Sequence, residues 1–374
     1  MTHSKTIAEL STMYLLGRWL GPWTDAHLAP QDVERREVVV NALTSNDRPF
    51  SAFVYRRGAL DQHVGSLLLV PGLHYLGPLD PRMDRFARIL AAAGIFVLAP
   101  RLPDFTSMLL DPRVFDDTLR AWKTLESLPD RPAGRPGVFS ISFGSLPTLW
   151  LASESPVASF IGSLVVFGGY ADFDDTLRFC IGGRKGASHD PLNRPVVFMN
   201  LMPFLDDRPE DPTELFAALR SYVQATWGKP EMKVDGRWQS VARDVAKSLP
   251  SSLLPLFFAA TGVEGDTRSL VDSALVRAAG SFSWLDPKPF LGRVRCPVDL
   301  IHGADDDVIP YEHAFAIARG LAPNVLRGVH VTGLYGHTHK AANVAPTFRD
   351  VPGLAKEAVT LVRMLAAITR SGSR

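Results

Sequence analysis

Three short stretches, Ser66 to Val70, Ile95 to Ala99 and Gly137 to Ile141, are apolar or small at every position, and segments of helical spacing separate them. Strands buried on both faces read this way, because neither face has solvent to carry polar residues. The intervening segments supply the cover. Asp80-Pro81 offers an N-cap and a proline at the first helical position, Met83, Phe86, Ala87 and Leu90 recur at helical spacing, and Gly94 closes the helix. Asp111-Pro112 opens a second helix with Phe115, Leu119 and Trp122 on one face. Two further strands precede this series, Glu37 to Leu43 and Phe50 to Arg56, joined by the turn Ser45-Asn46-Asp47-Arg48-Pro49; another, Ile161 to Phe167, follows it. Alternation of this kind predicts an α/β fold, a mostly parallel sheet with helices on both faces.

The alternation stops after Gly168-Gly169. From about Tyr170 to Phe290 the chain is proline-punctuated and helical in character. Asp211-Pro212-Thr213-Glu214 has the form of a capping box before Leu215, Leu219 and Tyr222, and Asp266 to Ala279 reads as a second helix. Strands resume at Val298 to Ile301 and Val329 to Thr332, with a helix near Tyr311 to Gly320 between them and a last one from Gly353 to Ile368. The expected organisation is an N-terminal helical segment (1–36), a core made of 37–169 and 291–374, and a helical cap inserted at 170–290.

Charge excludes some functions. The net charge is +1, from 40 basic and 39 acidic side chains, which gives no long-range field to draw in nucleic acid or an anionic membrane. Two cysteines, Cys180 and Cys296, make no disulfide scaffold, and Cys296 before Pro297 reads as a buried thiol. No stretch reaches the roughly eighteen apolar residues that span a bilayer. The apolar Met13 to Leu20 is short, broken by Arg18, and lacks the charge order and cleavage site of a secretory signal. It reads as a helix packed on the body, with peripheral membrane contact as the alternative, and the expected location is cytoplasmic. Oligomeric state is open.

Chemistry concentrates around Val138-Phe139-Ser140-Ile141-Ser142-Phe143-Gly144. An apolar strand runs into Ser142 with a small residue two positions away on either side, and a helical stretch with Pro147 in its first turn follows. That is the form of a nucleophile elbow, a sharp strand-to-helix turn that presents a serine hydroxyl, with Ser140 at the position of the usual first glycine. A buried structural serine is the competing reading. A serine needs a base, and the base needs a group that fixes its tautomer. Asp306, after the strand Val298 to Ile301, and His337, after Val329 to Thr332, stand in loops that a parallel sheet opens on the same edge as the elbow.

On these motifs the chain resembles the α/β-hydrolase-fold serine hydrolases of the esterase and lipase type. The resemblance rests on Ser140-Ile141-Ser142-Phe143-Gly144, on Gly303-Ala304-Asp305-Asp306-Asp307-Val308-Ile309-Pro310, on Gly336-His337 and on Pro71-Gly72-Leu73-His74, and it covers roughly 37–169 and 291–370. It implies Ser142 as nucleophile, His337 as base and Asp306 as acid. Backbone N–H groups of Leu73 and Phe143 would form an oxyanion hole. The chain departs from the family at Ser140, for a glycine, and at Pro71, for a histidine.

Each position has an alternative. Asp305 and Asp307 read as solvated or loop-capping carboxylates, either able to replace Asp306 if the loop shifts register. His339 is the second candidate base. His337-x-His339 near three aspartates lacks the further spaced ligand of a metal site, and no phosphate loop or dinucleotide fingerprint occurs, so neither metal nor other cofactor is expected. His74, Phe173 and Leu177 are candidate pocket residues, with a surface or loop-bonding role as the alternative for His74 and cap core for the other two. The expected substrate is a small-molecule carboxylic ester or thioester with an apolar portion. An acyltransferase, a carbon–carbon bond hydrolase and a non-catalytic binding module on the same fold are the alternatives.

Overall fold

The computed structural model describes residues 2–18, 28–42, 44, 47–58, 63–184, 189–333 and 351–372. Its eight strands are β1 (Glu34–Val40), β2 (Phe50–Arg56), β3 (Gly65–Val70), β4 (Ile95–Pro100), β5 (Gly137–Ile141), β6 (Leu164–Phe167), β7 (Val298–Gly303) and β8 (Leu326–Thr332). They form one sheet in the order β1-β2-β4-β3-β5-β6-β7-β8. β2 runs antiparallel to both β1 and β4, and every pairing from β4 through to β8 is parallel.

The continuous apolar runs are accounted for by cover on both faces. Leu68 and Val70 of β3 join Val138, Leu164 and Leu300 in one buried cluster, while Leu67 and Leu69 join Phe139, Val165 and Ile301 in another. Successive residues of a strand point to opposite faces, so a run such as Leu67-Leu68-Leu69-Val70 feeds two cores at once. The helix Pro81–Ala92 covers one face through Phe86 and Leu90, capped as the sequence predicts by the Asp80 carboxylate, which accepts from the Arg82 N–H at 2.9 Å. The N-terminal helix Thr2–Gly17 and the last helix Val351–Gly372 lie on that face too, burying Leu16, Met364 and Ile368. Thr12 of the former donates to the Ala93 carbonyl at 3.2 Å. On the other face Arg113–Ser127 contributes Trp122, and Ser145–Ser153 contributes Leu146 and Leu149.

Between β6 and β7 the described residues form helices and no strand, among them Phe173–Gly182, Arg194–Leu201, Thr213–Thr226, Arg237–Ala246, Leu254–Thr261 and Thr267–Arg277. Their apolar faces (Leu219, Tyr222, Phe257) belong to the same core as Trp122 and Leu149. Among the described residues no helix is long and apolar enough to cross a membrane.

Two local expectations need correction. β1 begins at Glu34, not Glu37, because an edge strand tolerates charge along its exposed side: Glu34 pairs with Arg56, Arg35 with Asp84 and Arg36 with Asp130. Asp211 stands one residue outside the cap of Thr213–Thr226 and accepts from the Thr213 N–H at 2.9 Å, an Asx turn that leaves Pro212 at the cap position. The second expected helix begins one residue later, at Thr267, with Asp266 as its cap, accepting from the Ser269 N–H at 3.0 Å.

Candidate active site

β5 ends at Ile141, and the chain turns at once into Ser142–Gly144 and the helix Ser145–Ser153. Ser142 takes φ = 54°, one of three non-glycine residues with positive φ among those described. Such a conformation costs an L-residue about 1–2 kcal/mol and persists where the surroundings impose it. Here the surroundings are a backbone crossing. A Cβ on Gly144 would stand 2.6 Å from the Pro71 carbonyl oxygen and 3.0 Å from that of Val70, and one on Gly72 would stand 3.0 Å from Ser142 Cβ. The Pro71-Gly72-Leu73-His74 loop therefore lies directly against the turn, and the close approach is to backbone, which cannot swing aside. Gly144→Ala is expected to lower stability by about 1–3 kcal/mol through this overlap, read as a reduced urea midpoint.

Ser140 is fully buried, and its hydroxyl donates to the Val165 carbonyl at 3.3 Å. It is a small residue bonded into the sheet. Phe143 opens the helical turn, where the leading N–H groups have no intrahelical acceptor and the positive end of the helix lies. Among the described residues the Leu73 N–H has no backbone acceptor. Leu73 itself is half-buried.

Asp306 follows β7 at the same sheet edge, since β5, β6 and β7 run parallel with Ile141, Phe167 and Ile301 in register. Its carboxylate is buried: Oδ1 accepts from the N–H groups of Val308 and Ile309 at 2.9 and 2.8 Å. Oδ2 lies 3.2 Å from Nε2 of His302, which is also 2.8 Å from the Ile309 carbonyl. Contact with a carbonyl requires that nitrogen to carry the proton, so His302 donates from Nε2 toward both oxygens. Sequence reading missed His302 because it ends a buried strand and carries no spacing signal. His302→Phe is expected to cost about 1–3 kcal/mol by orphaning the buried Ile309 carbonyl, measured by urea unfolding.

Asp305 is exposed, as expected of a solvated carboxylate. Asp307 is not: it is buried and bonded to Lys233, with Nζ to Oδ2 at 2.7 Å. β8 ends at Thr332, paired with Gly303 at this edge. His337 and the alternative His339 lie outside the described residues, as does the rest of 334–350.

The candidate pocket residues separate into two groups. Phe173 joins an aromatic cluster beside the elbow, its ring 6.5 Å from Phe143, 6.3 Å from Tyr170 and 5.4 Å from Phe282. Leu177, one turn along the same helix, is buried in the same core. His74 instead stacks on Tyr75 at 4.6 Å and meets Trp227, from beyond β6, at 5.5 Å. The His74 Nδ1 accepts from the Leu76 N–H at 3.2 Å, which puts its proton on Nε2, facing Asp80 Oδ2 at 3.3 Å. Burial pulls His74 down to about 4, against the opposing influence of Asp80 and with Arg82 assisting, so this contact is a neutral N–H against a carboxylate. The unfolded chain therefore binds the extra proton first. Stability from this group is complete above its ordinary value of 6.5 and is lost as pH falls toward about 4, and His74→Gln is expected to flatten that limb of the stability profile.

Cys180 and Cys296 are both free and buried, and burial raises both thiols. Among the described residues no group of three or more His, Cys, Asp or Glu side chains could hold a metal ion.

No family model matches the sequence, and no curated protein matches it. Solved structures do resemble it. An esterase of Pyrococcus furiosus is 14% identical with a TM-score of 0.46, over 89% of this chain and 91% of that one. A 2,6-dihydroxy-pseudo-oxynicotine hydrolase is 13% identical with a TM-score of 0.46, over 92% of this chain and 69% of that one. The Pyrococcus horikoshii acylaminoacyl peptidase is 14% identical with a TM-score of 0.43, over 88% of this chain, which spans only 40% of the peptidase. At these identities and TM-scores the likeness assigns this chain neither an activity nor a site. The sheet order, the parallel strand edge and the strained strand–turn–helix at Ser142 define the fold of this chain as that of an α/β-hydrolase.

Proposed function

We propose that this chain is a serine hydrolase that cleaves a carboxylic ester or thioester with an apolar portion through an acyl-enzyme. The observation that carries the reading is Ser142 itself: a non-glycine residue held at φ = 54° at the tip of a central parallel strand, wedged between a helix start and the Gly72 loop. Strain of this kind is retained at functional turns and has no packing purpose that a glycine would not serve better.

In the proposed mechanism Ser142 Oγ attacks the substrate carbonyl carbon while His337 takes its proton. The Asp306 carboxylate holds His337 in the tautomer that accepts that proton and stabilises the imidazolium. N–H groups of Phe143 and Leu73 donate to the developing oxyanion, each worth roughly two to three orders of magnitude in rate. Collapse breaks the bond to the alcohol or thiol, which leaves with the proton from His337. Water, deprotonated by His337, then attacks the acyl-enzyme and returns Ser142 to its starting state. The apolar portion of the substrate is assigned to the side of the elbow where Phe143, Tyr170 and Phe173 lie, supported by their ring contacts.

Hydrolysis of p-nitrophenyl esters of graded acyl length tests the reading. Turnover is expected across the panel with a preference for chains longer than acetyl. No hydrolysis at any length would overturn it, and release of nitrophenol only when an acceptor alcohol is added would move the assignment to an acyltransferase.

A further inference from the structure

The loop after β7 carries Asp305, Asp306 and Asp307 in succession, and the proposed mechanism uses only the second. Asp307 is nonetheless buried, and it is held from a distance. Lys233 Nζ lies 2.7 Å from Asp307 Oδ2 and 2.9 Å from Oδ2 of Asp190, a second buried carboxylate. Both Lys233 and Asp190 come from the helical stretch between β6 and β7. Asp190 grips the same loop through its backbone, its N–H donating to the Asp307 carbonyl at 2.8 Å, and its other carboxylate oxygen accepts from the Leu192 N–H at 2.9 Å. One residue on, the Cys180 thiol packs 3.5 Å from the Val308 carbonyl.

One ammonium thus stands between two buried carboxylates. Burial alone would pull Lys233 below its ordinary value, yet Asp190 and Asp307 together carry it above, so it stays charged. Asp307 Oδ1 is buried without a hydrogen-bond partner among the described residues, and Lys233 is the cation bonded to the other oxygen. The chain bends just after Lys233: Asp235 and Gly236, two and three residues on, take φ of 52° and 64° before the helix Arg237–Ala246 begins. A non-glycine residue in that region needs something to hold it there.

The consequence lies one residue away. The Asp306 carboxylate is held on Oδ1 by the N–H groups of Val308 and Ile309 and met on Oδ2 by His302, so its direction depends in part on how the peptides at 307 and 308 are set. We propose that Lys233 is a positioning residue: by bridging Asp190 and Asp307 it latches the helical insertion onto the acid loop and fixes the direction of Asp306. The inference rests on the reading of Asp306 as the catalytic acid. It makes the insertion part of the machinery that aligns the site, in addition to any part it has in covering it.

The test compares the full-length wild type with Lys233→Met and Lys233→Arg, using p-nitrophenyl butyrate turnover and the rate of fluorophosphonate labelling, at a temperature where circular dichroism shows all three folded. Lys233→Met is expected to lower kcat and the labelling rate about ten-fold or more with KM within about two-fold, because alignment of the acid acts on the chemical step. Lys233→Arg, which keeps the charge, is expected to restore most of the rate. Should Lys233→Met fail to fold, the triple variant Lys233→Met/Asp190→Asn/Asp307→Asn removes the uncompensated charge and is expected to fold and remain slow. A folded Lys233→Met or triple variant that labels at the wild-type rate overturns the latch while leaving the serine-hydrolase reading intact. Loss in Lys233→Met that appears only as a lower melting temperature or a raised KM overturns it likewise. A wild type that neither turns over ester nor labels overturns the serine-hydrolase reading and the latch with it.

Discussion

Ser142→Ala is expected to lower ester turnover by roughly four to six orders of magnitude, because the attacking oxygen and the covalent step disappear together. Its stability should stay close to wild type, since alanine keeps the Cβ and pays the same backbone cost at φ = 54°. Ser142→Gly separates the two effects. It is equally inactive, but glycine adopts this φ freely, so it should be more stable than Ser142→Ala by about 1 kcal/mol, read from urea midpoints. Together the pair would show strain held at the turn for the sake of the hydroxyl. Equal stability of the two variants would mean that the turn carries no such strain.

The second large effect concerns the base. His337→Ala is expected to reduce kcat by about four orders of magnitude or more, as removal of any member of such a triad does, while His339→Ala retains most of the activity. The reverse pattern in p-nitrophenyl ester assays would transfer the role to His339. Asp306→Asn should fall by about four orders of magnitude, as an acid that fixes a tautomer does when it becomes an amide. Asp305→Asn, at an exposed position, should change little.

The sheet is legible in the sequence where burial is two-sided. Leu67-Leu68-Leu69-Val70 and Ile95-Phe96-Val97-Leu98 have no polar residue to blur their limits, and β2 is read to the residue. β1 is misplaced by three residues because Glu34, Arg35 and Arg36 belong to an edge whose charges pair with Arg56, Asp84 and Asp130, partners distant in sequence. The helix start at Asp80 is legible because capping is a local bond. At Asp211 the residue types are right and the offset is wrong by one, since Pro212 fits the cap position as well.

Around the site the same division holds. The tight turn at Ser142-Phe143-Gly144 and the loop bonds of Asp306 are legible because they lie between near neighbours in the chain. Asp307 is misread as solvated because its partner Lys233 is 74 residues away, and no periodicity links an insertion lysine to a loop aspartate. His302 is invisible for a related reason: a histidine at the end of an apolar strand looks like a strand residue until its Nε2 is seen between Asp306 and the Ile309 carbonyl. Phe173 and Leu177 show the limit of composition, since aromatic and aliphatic residues beside a site and those in a core differ only in what they face.

The proposed chemistry depends on the hydroxyl of Ser142, and the most direct measurement is to label the wild-type protein with a fluorophosphonate and locate the adduct by tandem mass spectrometry. One equivalent on Ser142, absent from Ser142→Ala, is the predicted result. No adduct, an adduct on Ser140, Ser145 or any other serine, or equal labelling of Ser142→Ala would contradict it.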